Sequence, residues 1–290
     1  MNLGVTGILI NGFNQILLIK RNDTHTWAAP AGAMELGELP PDAVIREVKE
    51  ETGLKVMPVR LVSMNYTRIP RGNSYLQFTY RCLEAGGEIA TSEESLEVGF
   101  VKTSELPRNM LSLNTDQIQQ AVGHTGPVIL NDRGIPWNLM PRWLWLKFVV
   151  YPRFDRQRRA KGEPVYVPSP GFSVSAAIAV RDSHNNLIWI NESGSTGNSQ
   201  LPTGPCPEGR APWLTAADIA TGALGQAVTI KRPVAIYISK EGAEALILWE
   251  GETTGSQKGS AEIPADADDQ SARFAKMALQ NNSLVQSEWL

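Results

Sequence analysis

Paired cysteines, a long apolar run and an excess of one charge are all missing from this sequence. Its two cysteines, Cys82 and Cys206, stand far apart. They make no CxxC pair and no zinc-ligand spacing, which excludes a disulfide-stapled scaffold and a zinc module and fits a reducing cytosol. A single long-range bridge between them stays open as the alternative. No run of about 18 apolar residues occurs, so no membrane-spanning helix is expected. The nearest stretch, 139–154, is interrupted by Arg142, Lys147 and Arg153. The amino terminus carries no basic segment followed by an apolar one, so no signal peptide is expected and the predicted location is cytoplasmic. The net charge of −3 over 290 residues excludes a polyanion binder that works by bulk charge.

What is present is an ordinary globular composition, 42% hydrophobic and 20% charged, in a length that suits two domains. Residues 7–10 and 16–19 are apolar and β-branched around Asn11-Gly12-Phe13-Asn14, a pattern that predicts a β-hairpin. A Gly/Pro-rich loop over 28–39 precedes a predicted helix that Pro40 and Pro41 open and Gly53 closes. Further strands are predicted over 59–66, 75–83 and 98–101, and, in the second half, over 176–180, 187–190, 234–238 and 245–249. A short helix is expected over 265–281.

The chemistry concentrates between Gly32 and Leu54. Glu47, Glu50 and Glu51 stand at i, i+3 and i+4 and so share one helix face. Like charges placed this way repel by roughly 0.2–0.5 kcal/mol per pair, a cost that a hard cation offsets. Mg²⁺ prefers carboxylate and water oxygens and bridges to substrate phosphates. Arg46 can orient a carboxylate, while Val44, Ile45 and Val48 offer an apolar face to a sheet. Glu-x-x-Glu-Glu alone reads as a solvated acidic face. Two glycines, an arginine, four glutamates and two aliphatic positions in fixed register across 23 residues do not.

At these residues the sequence resembles the Nudix hydrolase family, whose signature is GX5EX7REUXEEXGU with U a bulky aliphatic. Gly32, Glu38, Arg46, Glu47, Val48, Glu50, Glu51, Gly53 and Leu54 meet every defined position. Ala31 departs from the glycine frequent there. The resemblance covers about residues 4–110. It implies an α/β/α sandwich with a mixed sheet, bound Mg²⁺ or Mn²⁺, and hydrolysis of the pyrophosphate bond of a nucleoside diphosphate linked to another group. It implies Glu47, Glu50, Glu51 and the Ala31 carbonyl as metal ligands, with Arg46 and Glu38 in support. It also implies a further glutamate, as ligand or base, in the loop before a late strand. Glu93, Glu94 and Glu97 lie in that stretch, and Glu93 or Glu94 is the candidate.

For the substrate, Pro70 stands 16 residues after Leu54 and resembles the mark of ADP-ribose pyrophosphatases, so ADP-ribose or a nucleotide sugar is slightly favoured. No Trp-Pro-Phe array of the NADH pyrophosphatase kind is present. Trp27 and Tyr66 are candidates to stack on a base or, more simply, to pack. Rival readings are a non-catalytic nucleotide sensor and an RNA-end or cap hydrolase. A nucleic acid partner is not favoured, and monomer and homodimer are both open.

The second half repeats the first at an offset of 172. Over 30–56 and 202–228 the identities are Pro30/Pro202, Gly32/Gly204, Gly37/Gly209, Pro40/Pro212, Gly53/Gly225 and Val56/Val228. Residues that set backbone shape recur, and Ile16-Leu17-Leu18 faces Ile188-Trp189-Ile190. The chemistry does not recur: Glu38, Arg46, Glu47, Glu50 and Glu51 become Arg210, Asp218, Ile219, Gly222 and Ala223. The expected organisation is a catalytic Nudix domain over 1–130, a basic tryptophan-rich linker over 131–170 and a degenerate Nudix-like domain over 171–290. Pro164, Pro168, Pro170 and Gly171 mark the boundary. In the linker, Trp137, Trp143 and Trp145 are expected to pack between domains. Its arginines then face solvent, a membrane or nucleic acid surface, or substrate phosphates.

Overall fold

A computed structural model describes residues 1–68, 74–110, 112–134, 140–162, 171–191, 198–280 and 284–290. It divides into two compact units. One comprises Asn2–Glu35 and Pro40–Gly171, the other Met1–Met1, Leu36–Leu39 and Phe172–Leu290.

The elements of the first unit are β1 (Asn2–Leu9), β2 (Gln15–Arg21), β3 (Trp27–Ala28), β4 (Ala31–Ala33), α1 (Pro40–Thr52), β5 (Leu54–Arg68), β6 (Tyr75–Gly87), β7 (Ser95–Lys102), α2 (Ser112–Gly123), β8 (Ile129–Gly134), α3 (Met140–Trp145) and α4 (Tyr151–Lys161). A π-helical turn, Leu146–Val150, joins α3 to α4. The main sheet is mixed, in the order β4-β1-β6-β5-β8. β1 runs parallel to β6 and antiparallel to β4, and β5 runs antiparallel to β6 and parallel to β8. A three-stranded antiparallel sheet, β3-β2-β7, stands beside it.

The period of two along β1 builds the sandwich. A Cβ on Gly7 would meet Val48 and Val44 of α1, whereas the next residue, Ile8, clusters with Val62, Ile118 and Ala121 on the side of α2. One strand thus offers alternate side chains to a helix on each face, as the α/β/α expectation required. Ile8, Val44, Val48 and Val62 are all 0% exposed. Each such aliphatic side chain contributes about 1.5–3 kcal/mol by leaving water.

The expected hairpin over 7–19 is corrected. Asn11 Oδ1 accepts from the Phe13 and Gln15 amides and makes the turn, but Ile10 and Ile16 form a lone antiparallel bridge. Beyond it β1 enters the five-stranded sheet and β2 the three-stranded one. Both strands find longer partners elsewhere, so the tight turn serves as a corner between sheets.

The expected boundary at 130 cuts a strand. β8 pairs Ile129–Gly134 with β5, and Arg133 ion-pairs Asp116 of α2 at 2.5 Å. The basic stretch beyond is helical. Pro152 has no N–H for the carbonyl four residues back and its ring crowds that carbonyl, which accounts for the wider π turn just before it. Trp137 lies outside the described residues, as does the side chain of Trp143, and Trp145 is exposed. Pro164, Pro168 and Pro170 also lie outside them.

The second unit contains β9 (Ser173–Arg181), β10 (Ile190–Asn191), β11 (Ser199–Gln200), β12 (Thr203–Pro205), α5 (Pro212–Leu224), β13 (Thr229–Ile238), β14 (Glu244–Glu252), α6 (Asp269–Leu279) and β15 (Gln286–Trp289). Its sheet order is β12-β9-β14-β13-β15. The directions are antiparallel, parallel, antiparallel and parallel in turn, the same succession as in the first unit. β4 and α1 map onto β12 and α5 at the offset of 172, residue for residue. The alternation recurs as well. Ala177, Ala179, Leu246 and Leu248 pack with Phe274 of α6, while Trp249 stacks edge-on against Trp213 of α5 at 6.2 Å.

Two expectations fail here. Residues 187–190 are not one strand: Leu187 makes bridges to Arg181 and Ser260, and only Ile190–Asn191 pair, with β11. The C-terminal helix is α6, shorter than predicted, because Asp268 caps it by accepting from the Ser271 amide. Cys82 and Cys206 are both free thiols.

Candidate active site

The site starts with the ends of α1. Pro40 and Pro41 occupy its first turn, and Asp42 complements the positive end of the helix dipole. At the other end Gly53 takes φ +76° and returns its N–H to the Lys49 carbonyl at 2.9 Å. A side chain at that φ is strained, and a Cβ would also meet the Glu88 carbonyl at 2.3 Å.

Between these ends the helix turns its carboxylates toward β4. Glu51 is 3% exposed, and its Oε2 accepts from the Ala31 amide at 2.9 Å. Glu47 lies against Gly32, where an added Cβ would sit 2.1 Å from the carboxyl carbon. The signature glycine is therefore the absence of a side chain that the glutamate needs. Arg46 clamps the arrangement. Its Nη1 donates to Glu47 Oε1 at 2.8 Å and to Glu50 Oε2 at 3.2 Å, and its Nη2 donates to the Ala33 carbonyl at 2.9 Å. Glu50 is largely exposed. With Arg46 it borders an open depression along the outer face of α1.

Burial of two of these carboxylates shifts their titration. Burial pushes Glu51 up to about 8; the Ala31 amide and Arg21 oppose this, while Glu47 and Glu94 add to it. Burial likewise raises Glu47 above the ordinary carboxylate range, Arg46 opposing and Glu50 and Glu94 reinforcing. A divalent cation relieves both burial and repulsion. Among the described residues no three acidic, histidine or cysteine side chains converge as a ready-made cage. Mg²⁺ takes one or two protein carboxylates and completes its octahedron with water and substrate phosphate, so this donor set fits it.

The loop before β7 carries the other candidates. The Asn22 amide donates to the Glu94 carbonyl and its Nδ2 to the Glu93 carbonyl, both at 2.9 Å. This ties the loop to the turn between β2 and β3. Ser95 Oγ donates to the Glu51 carbonyl at 2.7 Å and ties the loop to α1. Of Glu93 and Glu94, it is Glu94 whose charge bears on Glu47 and Glu51. Glu97 is engaged across strands with Lys20 at 2.5 Å. Glu38 lies in the segment Leu36–Leu39 before α1.

The substrate candidates separate. Tyr66 is 0% exposed in β5, a core residue with no face to offer a base, which corrects that expectation. Trp27 is partly buried and packs on the Ile8 cluster, the simpler of its two readings. Pro70 lies outside the described residues. Arg21 and Ser95 went unforeseen, because pairing of distant segments brings them to Glu51 and no local pattern announces it.

Carboxylates gathered on one helix, in a donor set that fits a divalent cation, are compatible with the class of hydrolases of phosphoric anhydrides. The family is shown by comparison: residues 1–121 match the model of the NUDIX domain. A MutT-like protein of Streptomyces ambofaciens is 32% identical over 133 residues, 46% of this chain and 84% of that protein. An 8-oxo-dGDP phosphatase of Mus musculus is 38% identical over 110 residues, 36% of this chain and 33% of that protein. An ADP-ribose pyrophosphatase of Methanocaldococcus jannaschii is 37% identical over 111 residues, 37% of this chain and 64% of that protein. The chain thus spans a third of the mouse relative and under two thirds of the archaeal one. The chain belongs to the Nudix hydrolase family.

Proposed function

We propose that the first unit is a Mg²⁺-dependent pyrophosphohydrolase acting on a nucleoside diphosphate derivative, with ADP-ribose or a nucleotide sugar favoured. The observation that carries it is Glu47 and Glu51 of α1 held against Gly32 and Ala31, with Arg46 joining Glu47 to the more exposed Glu50. One or two of these three carboxylates at a time, with the Ala31 carbonyl, would hold an ion. Bound Mg²⁺ or Mn²⁺ supplies charge neutralisation at the phosphoryl oxygens and an activated water. Arg46 orients Glu47 and Glu50, and Ala31 orients Glu51. Glu94, in preference to Glu93, completes the site as ligand or base. Water added across the anhydride yields two phosphate monoesters from ADP-ribose or a nucleotide sugar, and a nucleoside monophosphate with inorganic phosphate from a free nucleoside diphosphate. A second substrate, 8-oxo-dGDP, is favoured by the activity named for the mouse relative, itself a nucleoside diphosphate chemistry.

We further propose that the chain has a catalytic domain extending through β8 and a degenerate second copy from about residue 171. The shared succession of strands and the 172-residue offset of β4 and α1 support this. So does one substitution seen in place: Ile219 lies 3.1 Å from the Cβ position of Gly204, where its counterpart Glu47 lies against Gly32. The cradle remains and the carboxylate is gone.

The test is incubation with Mg²⁺ and ADP-ribose, nucleotide sugars, 8-oxo-dGDP, dinucleotides, nucleoside triphosphates and capped RNA, with Glu51→Gln alongside. Turnover of a diphosphate by wild type, lost in the variant, is the expected result. Silence across the panel with Mg²⁺ and Mn²⁺ overturns it in favour of a nucleotide sensor.

A further inference from the structure

The helical run from α3 through the π turn to α4 puts large apolar side chains into solvent. Phe148 is 67% exposed, Trp145 54%, Tyr151 45% and Leu144 43%. Leu144, Phe148 and Tyr151 follow one another at steps of four and three, the helical spacing, and their exposure shows that they face water. A single apolar residue on a surface needs no account. Four within eight residues of one helical run form a patch, and exposed patches rimmed by polar residues mark a contact.

The charge beside the patch identifies what covers it. Residues 140–162 hold seven lysines and arginines against Asp155, a net charge of +6. The chain totals −3, so its other residues total −9. Positive charge is thus concentrated in this one stretch of an otherwise acidic chain, and it adjoins the patch. Lys147 Nζ lies 5.9 Å from the centre of the Phe148 ring, and Arg153, Arg156, Arg159 and Lys161 are exposed along α4. The phosphodiesters of a nucleic acid would meet these charges and leave Leu144 and Phe148 in water. An anionic bilayer meets both features. Its headgroups attract arginine and lysine, and the boundary with its acyl chains takes up apolar side chains, with tryptophan and tyrosine favoured there. The long stems of lysine and arginine let a helix lie in that surface with its charges in water. No described helix is long and apolar enough to cross a membrane, so the contact that fits is peripheral.

We propose that residues 140–162 dock the protein on an anionic lipid bilayer, with Leu144, Trp145, Phe148 and Tyr151 entering the headgroup boundary and the basic residues of α4 holding the headgroups. The docking is independent of whether the first unit hydrolyses a diphosphate.

The test floats the full chain with vesicles of phosphatidylcholine alone and of phosphatidylcholine with about 30 mol% phosphatidylserine. Trp145→Ala/Phe148→Ala removes the centre of the patch, and Arg156→Glu/Arg159→Glu inverts the charge. All four residues are exposed, so both variants should melt within a few degrees of wild type. Should either melt early, Phe148→Ala or Arg156→Glu alone takes its place. The expected result is flotation of wild type with the phosphatidylserine vesicles only, weakened by salt. Each double variant should lose about tenfold or more in apparent affinity. Brominated acyl chains should quench wild-type tryptophan emission more than that of Trp145→Phe. Absence of flotation overturns the proposal, and so does equal flotation with both vesicles. Flotation left intact by Trp145→Ala/Phe148→Ala overturns insertion of the patch. A single-stranded RNA bound more tightly than the vesicles, and lost in Arg156→Glu/Arg159→Glu, overturns the proposal in favour of nucleic acid. A lipid-free dimer in sedimentation velocity, abolished by Trp145→Ala/Phe148→Ala, overturns it in favour of a second copy of this chain.

Discussion

Gly32 and Glu47 share a volume that has room for the carboxylate and nothing more. A methyl group on residue 32 would lie 2.1 Å from that carboxylate, so Gly32→Ala must drive Glu47 out of place. The expected outcome is a loss of kcat/KM of about a hundredfold, equivalent to roughly 2.7 kcal/mol of transition-state stabilisation. The thermal midpoint should hold to within a few degrees, because Glu47 lies at the rim of the core. Steady-state kinetics with a melting curve check both halves of the statement. Glu51 carries a pH signature. Its folded value of about 8 exceeds the ordinary carboxylate value of 4.5. The folded state thus holds its proton more tightly than the unfolded chain, and stability declines as pH rises from about 4.5 to about 8. At 1.36 kcal/mol per pH unit the upper bound is close to 5 kcal/mol. Metal-free wild type should melt lower at pH 8 than at pH 5. Glu51→Gln should flatten that slope, and Mg²⁺ should flatten it for wild type. A slope shared equally by Glu51→Gln would place the titration elsewhere.

At the scale of an element, α1 and α5 are a matched pair with different closures. Gly53 and Gly225 both take the left-handed conformation, at φ +76° and +65°. An alanine there costs about 1–2 kcal/mol in either helix from backbone strain alone. At Gly53 the added Cβ also meets the Glu88 carbonyl, whereas at Gly225 nothing lies within 4 Å. Gly53→Ala should therefore destabilise by more than Gly225→Ala and should shift the Glu50-Glu51 end of the helix, lowering activity. Urea unfolding of the two variants, with activity beside it, checks the order. A Gly225→Ala cost equal to that of Gly53→Ala would show that the Glu88 contact relaxes freely. The elements also show why local patterns were read well at some places and not at others. The helix over 40–52 was legible because Pro, Gly and a 3.6-residue period coincide there. The hairpin over 7–19 was misread because a turn reports where a chain reverses, not which sheet each arm joins. The stretch 131–161 read as a linker because its charges and tryptophans hide β8 and α4 from any simple period.

For the whole molecule, the two units have one strand succession and one helix placement, but α5 carries Ile219, Gly222 and Ala223 where α1 carries Glu47, Glu50 and Glu51. Ile219 occupies the site of Glu47 and packs toward Gly204. Catalysis should accordingly reside in the first unit. Glu47→Gln is expected to cut turnover by about a hundredfold or more, while Ile219→Ala leaves kcat within about twofold and lowers stability by the roughly 1–2 kcal/mol of a half-buried aliphatic side chain. Parallel kinetics and melting of the two variants test this division, and a loss of turnover in Ile219→Ala would assign the second unit a part in catalysis.

The spacing of Gly32, Glu38, Arg46, Glu47, Glu50, Glu51 and Gly53 by itself determined the family and the helix. A helix places i, i+3 and i+4 together whatever surrounds it, so a site built on one helix is written in consecutive residues. The repeat at 172 was legible for the same reason, since glycine and proline impose backbone shape locally. Only the tertiary structure decided the rest. It buried Tyr66, stapled Asn22 to the Glu94 loop, set Ser95 on Glu51 and brought Arg158 from 64 residues away to Glu94. Those contacts depend on which strands pair and which faces pack, and that is settled by burial summed over the whole chain rather than by any window of it.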